Sequence, residues 1–132
     1  MKREPAANAT GAPKGPRPAR GIDADAVTKA VLASLEDDKA EDILAIDIRG
    51  KSSFADMLVI ASGRSSRHVA ALAEHIMRKL KDEGVKDVQA EGLPQADWVL
   101  VDAGDVVIHL FRPEVRAFYN IEKIWAGPSA AN

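Results

Sequence analysis

Cysteine is absent from the chain. That excludes disulfides, thiolate metal sites and cysteine nucleophiles, and it fits a reducing compartment. Long apolar runs are missing too: no stretch approaches the roughly eighteen residues that begin to suggest a membrane span. The start, Met1-Lys2-Arg3-Glu4-Pro5, leads into Ala, Asn and Pro rather than an apolar segment, which argues against secretion and for the cytoplasm. Aromatic residues are scarce at 5%, so the place of each Trp, Tyr and Phe carries information. What is present suits one globular domain. The 132 residues are 46% hydrophobic and 29% charged, enough for one core and too few for two ordinary ones.

The net charge of -2 conceals an asymmetry. Residues 1–21 hold Lys2, Arg3, Lys14, Arg17 and Arg20 against Glu4 alone, a net of +4; residues 22–132 hold 13 basic and 19 acidic residues, a net of −6. A domain of that sign is poorly suited to gripping phosphates, because nucleic-acid affinity comes largely from cations. It is attracted instead to a basic protein. Residues 1–21 also contain Pro5, Pro13, Pro16 and Pro18 and no aromatic or branched aliphatic residue. Such a segment cannot bury enough surface to offset its ordering entropy, so a disordered tail is expected there. The domain then covers 22–126, followed by a short flexible C-terminus over 127–132.

Within the domain, Asp23 reads as an N-cap for a helix whose Val27, Ala30, Val31 and Leu35 share one stripe. Two short β-rich runs follow, 43–48 and 57–61. Ser65 or Ser66 caps the clearest helix, with Val69, Leu72, Ala73, Ile76 and Leu80 inward and Gly84 at its left-handed end. Residues 85–91 alternate like a half-exposed strand. Trp98-Val99-Leu100-Val101-Asp102 and Val106-Val107-Ile108-His109-Leu110-Phe111 are joined so tightly that they form an antiparallel hairpin. Pro113 opens a last helix expected to run through Val115, Phe118, Ile121, Ile124 and Trp125 until Gly127-Pro128 ends it. The order α-β-β-α-β-β-β-α predicts an α/β fold, a mixed five-stranded sheet flanked by helices, with a right-handed parallel crossover between the second and third strands.

Several stretches resemble the ribosomal silencing factor (Iojap-related) family. They are Gly50-Lys51-Ser52-Ser53 with Asp56; Gly63 with Ser65-Ser66-Arg67-His68-Val69; Ala96-Asp97-Trp98-Val99-Leu100-Val101-Asp102 with Gly104-Asp105-Val106-Val107-Ile108-His109; and Arg116, Tyr119, Glu122-Lys123 and Trp125. Four motifs in register, from about Ile22 to Ala126, make a specific match. The resemblance implies a nucleotidyltransferase-like fold without its catalytic carboxylates. It also implies a factor that binds ribosomal protein fourteen of the large subunit and sterically blocks joining of the small one when nutrients are scarce. The partner-binding positions it implies are Trp98, Gly104, Asp105, Arg116, Tyr119 and Lys123, taken as one patch around the hairpin and the last helix. Neither cofactor nor metal is implied.

Each of these residues also has a plainer reading. Aromatics with periodic neighbours usually face inward; Phe54, Phe111 and Phe118 are the better candidates for an apolar interior, and Trp98 at a strand entrance for half-exposure. Asp105 after Gly104 reads as a turn residue. Arg116 and Lys123, seven apart on one helix, read as a solvated face or as rim charges that tune association more than affinity. Two rival functions follow from the residues. A nucleotidyltransferase needs clustered carboxylates on two cations, but two positions after Asp56 stands Leu58, leaving Asp102 as the other conceivable ligand. A general RNA-binding module is opposed by the charge of −6. His68 and His75 lie two turns apart rather than the one turn that suits zinc, and His109 belongs to a strand, so a metal site is not expected. An apolar patch kept for a partner favours a homodimer in the free protein.

Overall fold

A computed structural model describes residues 23–124 of the chain. The expected tail, the C-terminal segment after 126 and Trp125, the expected last apolar residue of the final helix, lie outside the described residues. Within them run α1 (Ala24–Asp37), β1 (Glu41–Asp47), β2 (Met57–Ser62), α2 (Ser66–Asp82), β3 (Gln89–Glu91), β4 (Trp98–Asp102), β5 (Val106–Phe111) and α3 (Pro113–Tyr119). The helix ends follow from their caps. The Asp23 carboxylate accepts from the Ala26 amide at 2.8 Å, and the Ser65 hydroxyl accepts from the His68 amide at 3.1 Å. At the end of α2, Gly84 takes φ +90°. The Val85 amide then reaches the Leu80 carbonyl (2.9 Å) and the Gly84 amide the Lys81 carbonyl (3.0 Å), the paired bonds of a Schellman stop.

The strands form one sheet in the order β1-β2-β5-β4-β3. β2 runs parallel to β5, and the other pairings are antiparallel. The sheet is therefore mixed, as expected, and β3 runs parallel to β2. The two are not neighbours, however, because the β4–β5 hairpin lies between them. Both faces of the central strands are covered, which is why β2 and β5 read as nearly continuous apolar runs. Val59, Ala61, Val99, Val101, Ile108 and Leu110 meet the stripes of α1 and α2 in the main core. On the reverse face, Ile48, Leu58, Ile60, Val107 and Phe111 form a smaller core, onto which Trp98, Leu100, Val115 and Ile121 pack.

Three expectations are corrected. The strand expected over 85–91 shrinks to three residues because Asp87 takes φ +63°, which interrupts the extended chain. The long last helix stops at Tyr119. Asn120 adopts the left-handed conformation (φ 51°, ψ 46°), which asparagine tolerates, and a separate helical turn occupies 121–124. That reversal brings Glu122 within 3.2 Å of the Arg116 guanidinium, a meeting that a straight helix, where neighbours are three or four apart, does not permit. Finally, Phe111 is interior but Phe54 and Phe118 are 59% and 79% exposed. With α3 only seven residues long and none of them fully buried, Phe118 has no facing element among the described residues.

Candidate functional site: an aromatic cluster at one end of the sheet

Trp98 begins β4 and lies opposite Phe111, the last residue of β5. Cross-strand neighbours on one face approach closely. The two rings are 4.8 Å apart. Tyr119, at the end of α3, places its ring 4.7 Å from the indole at 44°, and Phe118 meets Tyr119 edge-on at 5.0 Å. Such tilted and edge-to-face contacts are favourable ring geometries. The cluster passes from interior to solvent: Phe111 is fully buried, Trp98 half-buried and Tyr119 52% exposed.

The loop before Trp98 is tightly specified. Gly92 (φ +93°) lies so close to the Trp98 carbonyl that a Cβ would collide with it. The Ala96 amide closes the turn onto the Gly92 carbonyl at 2.8 Å, which leaves the buried Ala96 at φ +56°. Asp97 then ties the loop to two other elements. Its carboxylate accepts from the Ser66 hydroxyl (3.1 Å) at the start of α2 and from Arg112 (3.2 Å) just before α3. The indole N–H donates to Nδ1 of His109 at 3.0 Å. Burial pushes the His109 imidazole down to about 4, because desolvation disfavours its charged form.

The six expected partner-binding residues do not form one patch. Trp98 and Tyr119 are together, whereas Gly104 and Asp105 sit in the β4–β5 turn, beyond four residues of strand, or roughly 13 Å at about 3.3 Å per residue. There the Asp105 carbonyl accepts from the Asp56 and Met57 amides at 2.8 and 3.1 Å, and the Gly104 amide donates to Asp102 at 2.9 Å. Arg116 lies at the aromatic end but turns inward. With its side chain only 11% exposed, it donates to the Asp42 carbonyl (2.8 Å), the Ser62 hydroxyl (2.9 Å) and Glu122 (3.2 Å). It is a clamp between α3 and the β1–β2 edge rather than a rim charge. Lys123, past the Asn120 reversal, is exposed and off the Arg116 stripe.

The Gly50–Ser53 connection lies at the turn end. Asp56 does face a cation, but the cation is Arg49, whose guanidinium meets Asp25 (3.0 Å), Asp47 (3.1 Å) and Asp56 (3.7 Å). The hydrogen bond with Asp25 raises the Arg49 pKa above its ordinary value, so its charge is firmly held. Leu58 is core. Among the described residues no three His, Asp or Glu side chains converge in a way that would hold a metal ion. His68 and His75 instead fasten the end of α1, with His68 Nε2 2.9 Å from the Asp38 carbonyl and His75 Nδ1 2.6 Å from the Asp38 carboxylate. A groove of about 760 Å³ beside Met77, Lys81, Lys86 and Val88 lies at the C-terminal end of α2, where cations complement the helix dipole without need of a ligand.

Sequence reasoning gave no site role to His109 or Asp97, though both stand in the family-like motif, and did not single out Arg112. A signal for His109 was present. Counting outward from the tight turn at Gly104 pairs Trp98 with Phe111 and Leu100 with His109, which puts His109 on the face of Trp98.

Comparison with known proteins is concordant over this whole region. Residues 22–132 match the family described as "Ribosomal silencing factor during starvation". The chain is 52% identical over 115 residues to the ribosomal silencing factor RsfS of Zymomonas mobilis, covering 86% of each chain. It is 41% identical over 106 residues to that of Bacillus subtilis, covering 80% of this chain and 90% of the relative. A mouse protein named "Mitochondrial assembly of ribosomal large subunit protein 1" is 34% identical over 113 residues, 83% of this chain and 50% of that one. A crystal structure of a Chromobacterium violaceum protein superposes with a TM-score of 0.77 at 41% identity, covering 80% of this chain and 88% of the other.

Proposed function

The chain belongs to the ribosomal silencing factor family, and on that footing we propose that it represses translation by docking on the large ribosomal subunit and excluding the small one. The observation that carries this reading is the Trp98–Tyr119 pair, in which a half-buried indole and an exposed phenol ring meet over the buried Phe111. Preformed Trp and Tyr anchors dominate protein interfaces, each often contributing about 2 kcal/mol or more. The partner we assign is ribosomal protein fourteen on the intersubunit face, and the net charge of −6 on the domain favours a basic contact there. Occlusion requires no bond-making step, and the family description names a silencing factor rather than an enzyme. Lys123, exposed beyond the Asn120 reversal, is assigned to the periphery of the contact.

The test is a sucrose gradient of purified subunits under cytoplasm-like salt. Added protein is expected to sediment with large subunits and deplete joined ribosomes, and Trp98→Ala or Tyr119→Ala to abolish co-sedimentation while circular dichroism stays that of the wild type. Subunits that join equally well when saturated with the protein would end this reading. The name of the mouse relative favours a second one, a role in large-subunit assembly. A factor acting only on precursors would leave mature purified subunits free to join.

A further inference from the structure

An indole on a surface binds well only if its ring is already oriented. The torsion that turns a tryptophan ring is broad rather than sharply staggered, so packing or a hydrogen bond has to select one setting. In this cluster the ring contacts of Trp98 with Phe111 and Tyr119 are tilted, at 36° and 44°, and neither phenyl face fixes the indole N–H. The N–H is fixed by His109. Their rings are 5.9 Å apart at 41°, joined edgewise through the 3.0 Å bond from Nε1 to Nδ1.

His109 is itself a fixed point. It lies in β5, stacked on Phe111 at 6.0 Å and 12°, and Phe111 is fully buried. Accepting at Nδ1 requires a neutral ring that carries its proton on Nε2. Burial, which holds the pKa to about 4, keeps the ring in that neutral state throughout the neutral range. The diagonal placement of Trp98 and His109 follows from the hairpin register and reaches across two strands as long side chains can.

We propose that His109 is the positioning residue of the docking surface, its Nδ1 selecting the one setting of the Trp98 indole in which that ring also meets Tyr119. This rests on the reading that Trp98 and Tyr119 contact the partner; His109 acts through Trp98 and need not touch the partner. Releasing one ordered anchor side chain should weaken association about fivefold to tenfold.

The experiment uses the full chain and two near-isosteric replacements. His109→Asn retains an acceptor near the Nδ1 position, whereas His109→Leu removes it; His109→Phe, which keeps a ring, serves as a third variant should His109→Leu not fold. The indole N–H resonance of Trp98, identified by its loss in Trp98→Phe, reports the hydrogen bond, and co-sedimentation with large subunits reports docking. The expected result is that His109→Leu and His109→Phe shift the resonance and weaken docking fivefold to tenfold, while His109→Asn keeps both within about twofold of wild type. Equal docking by His109→Asn and His109→Leu at equal stability overturns the inference. Should Trp98→Ala lose docking while His109→Leu retains it, only the positioning role falls. Wild-type docking by Trp98→Ala removes the docking surface itself, and the positioning role with it.

Discussion

The two ends of the sheet are built on opposite principles. At the Trp98 end, neutral rings stack from a buried Phe111 outward, and the largely buried Arg116 is turned inward onto the Asp42 carbonyl and Ser62, while the half-exposed Asp97 ties the loop to Ser66 and Arg112. At the turn end, Arg49 gathers Asp25, Asp47 and Asp56 in a half-exposed network. The first arrangement is rigid because it is packed; the second is held by charges in water, where screening leaves each pair little net strength. Carboxylates drew the enzymatic reading to the turn end, yet the preorganised surface lies at the other.

The contrast can be broken first at its glycines. Gly92→Ala places a methyl group against the Trp98 carbonyl and strains a φ of +93°, so it should destabilise the fold by more than about 2 kcal/mol. Gly50 has φ +83° but open space around it, so Gly50→Ala should cost only the left-handed penalty, about 1 kcal/mol. Chemical denaturation of the two variants checks the difference. Near-equal losses would mean that the Trp98 end is no more tightly packed than the turn.

Next in size is Arg116→Leu. It leaves the half-buried Glu122 carboxylate without its guanidinium and removes two further bonds, at an expected cost on the order of 2–3 kcal/mol. A loss within experimental error of zero would restore Arg116 to the status of a surface charge. The pH response should be of similar size. The folded value of His109, about 4, lies below the ordinary 6.5, so between those limits the unfolded chain binds the extra proton. Stability contributed by the neutral ring is thus full above about pH 6.5 and lost as pH falls toward 4, roughly 3 kcal/mol in all. The measurement is the difference in unfolding free energy between wild type and His109→Asn across that window, which should narrow as the pH falls. Smallest of all, Arg49→Ala should cost under about 1 kcal/mol and less still at high salt; a larger, salt-independent loss would show the turn end to be as firmly built as the other.

Much of this fold was legible in the residues because its signals are local. Asp23, Ser65 and Gly84 mark helix ends by bonds to amides or carbonyls within a few positions. The hairpin follows from a short link. What could not be read depends on distant partners. The pairing of β2 with β5 joins Met57 to Val106, and no periodicity announces it. The break at Asn120 exchanges helix continuity for the Arg116–Glu122 contact, a choice decided by residues 42 and 62 as much as by the helix. The site was half legible. Trp98 and Tyr119 were singled out and are adjacent, but their supposed union with Gly104 and Asp105 ignored the length of a strand.

The central position of β5 also has a temporal consequence. Because β5 lies between β2 and β4, the sheet has no middle until residues 106–111 have been synthesised and released from the exit tunnel. Nascent chains carrying only β1 and β2 hold a two-stranded ribbon, which is marginal in water, and the pairing that completes it spans a long stretch of sequence, a slow kind of closure. A growing chain that has emerged only as far as β2 therefore lacks the Trp98–Phe111 pair, and the aromatic cluster takes shape only once β5 has joined both β2 and β4.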